Sequence, residues 1–516
     1  MAQYAAKNQS KIWIWIIVIG LMCLCCCVML AAAGGFILYG PQNALFQEPY
    51  SQTVADDTNL AESVPTIEVQ QESAPTPEPL PPVRMENKLL AVTASGLWLI
   101  DETTKDIVHL STAKVDVPYV RAQGFAGNKR YYAYISGIDN QTNQPTLFVL
   151  DLADQHTMLQ ISLNGPNSQI NAQTSLGDPP FEAQRAMQYV DSLAWSPDGQ
   201  KLAFIAAIDA DNSDVYLYDT TDQSVTRLTS ETSNAASLHW SPDGRFIEFI
   251  TINSFGTGAG FDMDGIWVYD THSAEVKLVE QSSGSGEVFL AWVDADSFSI
   301  YSWDELCTAY SLRLINVNTL ASKALVNTCF SSIDYNSAEK FGIFAVTDFN
   351  EEHCSCAVSS QAGTYIFGES VPVNGDNEHI RKFDQVIAYG VESLPQANLF
   401  AVYTDAGLDH LYDTNGSFLT IPPEVLGLKP YPAPQANSLW AWFSYHSGKT
   451  GLWLSGGSLP APLEISPLFS GAPAWSSDGQ RLYFFEMDRL FYVESPEFDA
   501  VLLVEIPGGE ILNLVK

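Results

Sequence analysis

The chain has 516 residues and a formal net charge of −36, from 60 acidic and only 24 basic residues. An acidic protein of this kind is not expected to bind nucleic acid, because such binding needs basic patches that neutralise phosphates. The imbalance comes from a shortage of Lys and Arg, since charged residues are only 16% of the chain.

The N-terminal region predicts a membrane anchor. Residues 12–39 form an uninterrupted apolar run, equivalent to about 42 Å of helix, which is enough to cross a bilayer with some tilt. Lys7 and Lys11 precede the run and acidic residues follow it, so residues 1–11 are expected in the cytoplasm and the rest outside. The alternative is a cleaved signal peptide ending near Ala31, Ala32 and Ala33, but the apolar run is longer than such peptides usually have.

Residues 40–86 are rich in Pro, Glu, Gln, Ser and Thr and include the segment PTPEPLPP. A segment of this composition cannot bury enough apolar surface to form a core. It predicts an extended, disordered linker between the anchor and a domain that spans residues 87–516.

A short turn recurs within that domain. AWSPDGQKLAFIA begins at residue 194, HWSPDGRFIEFI at 239 and AWSSDGQRLYFF at 474. Pro197 suits the second position of a type I turn, Asp198 can accept backbone N–H bonds, and Gly199 supplies a positive φ before the next strand. Asp198 and Asp243 are therefore interpreted as hairpin corners, not as catalytic groups.

A second repeat has an apolar and aromatic strand that commonly ends in Asp, as in LWLID at 97, VYLYD at 215 and IWVYD at 266. Nine such elements between residues 97 and 490 are spaced about 49 residues apart, close to the roughly 40–50 residues of a four-stranded propeller blade. One four-stranded sheet cannot bury both of its apolar faces, but neighbouring sheets in a ring can.

These W-S-P-D-G turns, each followed by a strand and then by an aromatic strand ending in Asp, resemble the repeat of the TolB-type, WD-like β-propeller family. The match is sharp at residues 187–230, 234–281 and 470–508 and weaker between them. The resemblance implies an all-β fold, a single propeller of four-stranded blades, with eight blades as the best estimate and a range of seven to nine. It implies no activity, because propellers host many functions.

The strands of each blade are named A to D in chain order. B–C and D–A connections lie at one end of the ring, and the longest predicted ones are of these kinds, notably 164–186, 252–265 and 347–363. This loop-rich end is predicted to bind a protein or glycan partner. The candidate binding residues are Asp209, Asp211, Asp214, Asp262, Asp264 and His239.

Two of these loops carry alternating carboxylates, a pattern that suits Ca²⁺. Asp209, Asp211 and Asp214 are the candidate calcium ligands, although the EF-hand pattern is not matched and solvated loops are the plainer interpretation. No other cofactor is predicted.

Four cysteines fall on the same predicted end of adjacent blades. Cys307, Cys354 and Cys356 lie in B–C loops and Cys329 lies in the D–A connection between them. Outside the membrane, two disulfides are expected, with Cys354 and Cys356 each bridged to Cys307 or Cys329. A zinc site that includes His353 is the alternative.

The function predicted from these features is a membrane-anchored, extracytoplasmic binding scaffold of the cell envelope. Two alternatives stay open: a propeller enzyme, such as a lyase or a glycan or peptide hydrolase, and the extracellular part of a sensor complex. An enzyme is less favoured, since no G-x-S-x-G elbow or cluster of three inner-strand histidines is found. His239 replaces Ala in an inner-strand pattern and is predicted to face the channel or a blade interface.

The ends of the domain predict how the ring closes. The first unit, from Asn87, supplies only strands B, C and D, whereas residues 510–515 form a spare apolar strand after the last unit. The spare strand is predicted to serve as strand A of the first blade, since an open ring would expose apolar faces and edges.

Overall fold

The chain divides into two compact units, Met1–Glu78 and Pro79–Lys516. The computed structural model describes residues 87–515 apart from stretches between strands, the longest being 113–122, 137–144, 166–178, 347–362, 369–379 and 420–426. The predicted anchor at 12–39 and the linker at 40–86 lie outside the described residues. Among the helices that are described, none has the length and apolar character needed to span a membrane.

The described residues form nine four-stranded antiparallel sheets, which are blades 1 to 9. This is one blade more than the best estimate and within the expected range, because each of the nine aromatic strand-C elements has a sheet of its own. Blade 1 consists of β1 (Lys88–Thr93), β2 (Gly96–Asp101), β3 (Ile107–Ser111) and the last strand of the chain, β36 (Ile511–Val515).

Blades 2 to 5 each use four consecutive strands. They are β4 (Gln123–Phe125), β5 (Tyr131–Ser136), β6 (Thr146–Asp151) and β7 (His156–Ser162); β8 (Leu193–Trp195), β9 (Lys201–Ala206), β10 (Asp214–Asp219) and β11 (Val225–Arg227); β12 (Asn234–Trp240), β13 (Phe246–Phe255), β14 (Phe261–Asp270) and β15 (Glu275–Gln281); and β16 (Val288–Trp292), β17 (Ser297–Asp304), β18 (Ala309–Asn316) and β19 (Ser322–Thr328).

Blades 6 to 9 follow the same order. They are β20 (Ser332–Asn336), β21 (Phe341–Val346), β22 (Gly363–Gly368) and β23 (Ile380–Asp384); β24 (Gly390–Leu394), β25 (Leu399–Thr404), β26 (Gly407–Asp413) and β27 (Phe418–Leu419); β28 (Gly427–Pro432), β29 (Leu439–Ser444), β30 (Gly451–Gly456) and β31 (Leu463–Ser466); and β32 (Ala474–Trp475), β33 (Arg481–Glu486), β34 (Arg489–Glu494) and β35 (Val501–Glu505).

The recurring turn has the hydrogen bonds that its residues predict. The hydroxyl of Ser196 donates to Asp198 Oδ1 at 2.6 Å, and the same carboxylate oxygen accepts the backbone N–H of Gln200 at 3.0 Å. Gly199 has a φ of 68°, in the left-handed region where a side chain would be strained. The turns at Asp243 and Asp478 repeat these contacts.

The last strand of the chain completes the first blade. β36 pairs antiparallel with β1, with Leu90 opposite Val515 and Ala91 opposite Leu514. Ile511 and Leu514 are buried in an apolar cluster that also contains residues of blade 9, among them Tyr483. The strand pairing expected from the sequence is therefore present, and it joins the first blade to the last.

The D–A connection predicted as a loop at 164–186 contains a helix, α1 (Pro179–Met187). Proline is tolerated in the first turn of a helix, so Pro179 and Pro180 begin this helix and do not prevent it. Its Glu182 is buried and accepts the backbone N–H of Phe255 at 2.7 Å, which ties α1 to the end of β13.

Candidate ligand-binding cavity

The inner strands of successive blades are joined by indole hydrogen bonds. Trp240 Nε1 donates to the carbonyl of Ala194 in the preceding blade at 2.8 Å, and Trp292 Nε1 donates to the carbonyl of His239 at 3.1 Å. Trp195 and Trp475 make the equivalent bond to Gly124 and Tyr431. Each indole thus aligns its blade with the one before it, with its N–H already satisfied.

These aligned strands line an open cavity of about 770 Å³ at the inner ends of blades 2 to 5. Its walls include residues of the A–B turns, so it opens at the end of the ring that carries the Ser-Pro-Asp-Gly turns. The aromatic residues that line it are Phe125, Trp195, Trp240, Phe289 and Trp292, with Pro197, Pro242 and His239 beside them. A volume of this size is within the range of small-molecule and peptide pockets.

His239 is the ionisable side chain on this wall, and it bridges three blades. Its Nδ1 lies 2.7 Å from Glu248 Oε2 in its own blade, and its Nε2 lies 3.4 Å from Asp191 Oδ2 near the start of blade 3. The imidazole also stacks on Phe289 of blade 5, with ring centroids 4.1 Å apart. Glu248 is fully buried, whereas the His239 side chain is 26% exposed and Asp191 is half exposed.

The surroundings of His239 favour its charged form. Burial disfavours the imidazolium, but the hydrogen bonds to Asp191 and Glu248 outweigh this and raise the pKa of His239 to about 9. Burial also raises the pKa of Glu248, an effect that the neighbouring imidazolium opposes. At neutral pH the cavity wall therefore carries an imidazolium, with the buried carboxyl group of Glu248 directly behind it.

The pair occupies a position that blades 2, 3 and 5, which line the same cavity, fill with small residues. In blade 3 the corresponding cross-strand partners are Ala194 and Ala203, and in blade 4 they are His239 and Glu248. β12 also has a bulge at Ser237, which has a φ of 56°. A buried ionic pair is costly unless it is well paired, so its presence at an alanine position marks this blade as specialised.

Three of the predicted site residues lie at the opposite, B–C end of blade 3. Asp214 is buried and accepts bonds from Arg227 Nη2 at 2.6 Å and from Thr229 Oγ1 at 2.9 Å, so its carboxylate stabilises the blade. Asp209 accepts the hydroxyl of Tyr216 at 3.2 Å, and Asp211 is exposed. The calcium site at these three residues stays a prediction, and no group of three potential metal ligands was found in the described parts of the chain.

The other two aspartates lie in a strand and not in the predicted loop. β13 and β14 extend the hairpin to Phe255 and Phe261, so Asp262 and Asp264 belong to β14. Their neighbours Met263 and Gly265 are buried on the other face, as the alternation of a half-buried strand requires. Asp264 Oδ2 accepts the hydroxyl of Thr251 at 3.3 Å.

The structure does not bring the predicted binding residues together. His239 precedes the A–B turn of blade 4, whereas the five aspartates lie toward the B–C end of their blades. His239 therefore belongs to the turn end and not to the loop-rich end with which it was grouped. Cys307, Cys329, Cys354, Cys356 and His353 lie outside the described residues, so the disulfides and the zinc alternative stay predictions.

Sequence reasoning missed two members of the site. Glu248 interrupts the apolar run FIEFI, and a comparison with KLAFI in blade 3 would have shown a carboxylate at an alanine position. Asp191 carries no sequence signal, because it reaches His239 only through the packing of two blades.

No protein-family model and no curated protein matches the sequence. Solved structures with a similar arrangement include dipeptidyl peptidase 4 from Porphyromonas gingivalis, with 9% identity and a TM-score of 0.43 over 81% of this chain and 58% of that one. Oligogalacturonate lyase from Vibrio parahaemolyticus has 11% identity and a TM-score of 0.38 over 72% and 86%. TolB from Acinetobacter baumannii has 16% identity and a TM-score of 0.29 over 57% and 62%.

The chain thus spans less than two thirds of the peptidase and TolB chains. TM-scores this low carry no argument about activity, substrate or partner. The chain is a β-propeller because its strand order and sheet pairing make it one.

Proposed function

We propose that this chain is a binding module of the cell envelope, anchored in the membrane by residues 12–39, whose propeller captures a ligand in the cavity at the A–B end of blades 2 to 5. The observation that carries this proposal is the conjunction of an aromatic cavity of about 770 Å³ with a buried ionic pair at an alanine position. Concave, mostly apolar sites with a few placed polar groups are the usual form of binding pockets.

The chemistry of His239 favours binding over catalysis by this residue. A general base must be unprotonated at the working pH, but the pKa of His239 is raised to about 9. Its Nδ1 and Nε2 both already face carboxylates. A fixed imidazolium that orients its neighbours suits a recognition surface better than a proton-transfer site.

The envelope location and the TolB-type assignment belong to the proposal. The anchor is supported by the apolar run and the lysines before it, and the assignment by the repeated W-S-P-D-G turns. In this arrangement the propeller would lie outside the cytoplasm, where its cavity could meet an extracytoplasmic partner.

Ligand screening against a blocked cavity tests the proposal. The carbonyl of Gly124 accepts the Trp195 indole, and a Cβ added at Gly124 would meet no atom within 4 Å. Gly124→Trp is therefore chosen to occupy the cavity, and thermal unfolding of the variant checks that it is folded. In a thermal-shift screen of the full-length protein against peptide and oligosaccharide libraries, at least one ligand should stabilise the wild type but not the variant. Ligands that stabilise both proteins equally would place the site elsewhere.

A further inference from the structure

We propose that the cavity recognises a cationic peptide segment, with a lysine or arginine side chain laid against the aromatic wall and its charge paired with Asp191. This inference rests on the proposed binding role and names the ligand class.

The imidazole of His239 already has an acidic partner on the side that faces away from the cavity. Glu248 lies 2.7 Å from Nδ1 and is fully buried, so it forms an ion pair that a ligand does not reach. Asp191 lies at the longer distance of 3.4 Å from Nε2, and its side chain is 50% exposed. Asp191 is the carboxylate of the group that solvent reaches, and it lies beside His239, which is a residue of the cavity wall.

The rim of the cavity adds carboxylates of the same sign. Asp198 and Asp243 are exposed and directly follow Pro197 and Pro242, which line the cavity. Neither Lys nor Arg is among the residues that line it in the described part of the chain. With a chain charge of −36, the surrounding field attracts cations and disfavours anionic ligands.

The wall itself accepts an ammonium group. Lys129, from the A–B turn of blade 2, places its Nζ 4.9 Å from the centroid of Phe125, so one ring of the wall already holds an ammonium group of the chain and a ligand would use the other rings. The stems of Lys and Arg pack well on aromatic faces while the charged head reaches a polar partner. Three indole N–H groups of the wall already donate hydrogen bonds to the preceding blade, those of Trp195, Trp240 and Trp292. These residues therefore offer a ligand their ring surface and not a hydrogen-bond donor.

Asp191→Asn provides a test that preserves the backbone. Asp191 has a φ of 62°, which Asn adopts as readily as Asp, and its carbonyl bond to the N–H of Leu238 does not involve the side chain. The matched control is Asp222→Asn, an exposed carboxylate in the C–D turn of the same blade. Thermal unfolding of both variants checks that each is folded.

The probe is a tetralysine peptide with blocked termini, titrated into the full-length protein and followed by calorimetry and by tryptophan fluorescence. We expect one-to-one binding that Asp191→Asn weakens about tenfold or more and that Asp222→Asn leaves within about twofold, since Asp191→Asn removes a charge-assisted hydrogen bond and Asp222→Asn does not. The same peptide with Nε-acetylated lysines should bind at least tenfold more weakly.

Equal weakening by the two substitutions would show general attraction to an acidic surface and would overturn the inference. Equal affinity for the acetylated peptide would also overturn the inference about charge. If Gly124→Trp still prevented that binding, the cavity would remain the binding site. If neither peptide binds but another ligand still distinguishes the wild type from Gly124→Trp, the ligand class is wrong and the binding role stands.

Discussion

Blades 3 and 4 share the same turn and the same inner-strand tryptophan but differ at the cross-strand pair just before that tryptophan. Both have the Trp-Ser-Pro-Asp-Gly turn, and in both the indole bonds to the preceding blade. Blade 3 places Ala194 beside Ala203, whereas blade 4 places His239 beside Glu248. The turn and the indole hydrogen bond that the two blades share explain the fold. The pair of His239 and Glu248, which blade 3 lacks, places ionisable groups at the cavity wall.

The largest expected effect comes from opening the ring of blades to which both blades 3 and 4 belong. Deleting residues 510–516 removes β36, uncovers the edge of β1 and opens the apolar cluster that contains Ile511 and Leu514. We expect the melting temperature to fall by more than about 10 °C, or the protein to aggregate, because a strand edge and a core face become exposed.

Differential scanning calorimetry of the full-length and truncated proteins measures this effect. Removal of Lys516 alone is the control and should be silent, since residue 516 follows the paired strand. If the truncated protein and the full-length protein have the same melting temperature, ring closure does not depend on β36.

Breaking the pair in blade 4 should be the next largest effect. Glu248→Ala leaves His239 without its partner at 2.7 Å and should lower the free energy of unfolding by about 2–4 kcal/mol. The double variant His239→Ala/Glu248→Ala makes the position resemble blade 3, so its cost should be smaller than the sum of the two single costs by about 1.5 kcal/mol or more. Denaturant titrations of the four proteins give the coupling, and additive costs would mean that the pair does not act as a unit.

Stability should also fall on the alkaline side because of His239 in blade 4. The folded pKa of His239, about 9, is above its ordinary value of 6.5. A raised pKa contributes stability fully below pH 6.5, and this contribution is lost as the pH rises through 9. We expect a loss of about 1–3 kcal/mol between pH 6.5 and 9.5 in chemical denaturation.

The double variant is the control for this pH scan, since it lacks both groups of the pair. Burial raises the pKa of Tyr216 and Tyr218 to about 12, and their contribution to pH dependence begins only near the ordinary tyrosine pKa of 10. A wild-type slope that the double variant retains would assign the pH dependence to other groups.

The smallest effect should be the same in both blades. Asp198 and Asp243 make matching turn bonds, so replacing either with Ala should cost about 1 kcal/mol of unfolding free energy. The two losses should agree within about 0.5 kcal/mol. A markedly larger loss at one of them would give that turn a role beyond its hairpin.

Turn chemistry and strand periodicity are local, and this is why the sequence predicted so much of the fold. Asp198 was predicted to accept a backbone N–H and Gly199 to supply a positive φ, and the structure confirms both. The closing strand was predictable because a spare apolar segment matched a missing strand.

The helix α1 and the cavity depend on contacts between distant residues, and the sequence alone did not reveal them. Pro179 and Pro180 suggested a loop, yet Glu182 secures a helix through a bond to Phe255, 73 residues away. The cavity forms only where blades 2 to 5 meet. Its strongest sequence signal was the carboxylate of Glu248 within an apolar strand.

The most direct test of whether the pair of His239 and Glu248 creates the binding site compares two proteins. These are the wild type and His239→Ala/Glu248→Ala, the variant that makes blade 4 resemble blade 3. A ligand identified by its sensitivity to Gly124→Trp is titrated into both folded proteins by calorimetry. We expect the double variant to keep a cooperative unfolding transition but to bind this ligand at least tenfold more weakly, because it lacks the imidazole that holds Asp191 in place and stacks on Phe289. Unchanged affinity in a folded double variant would contradict the claim that the departure from the repeat creates the binding site.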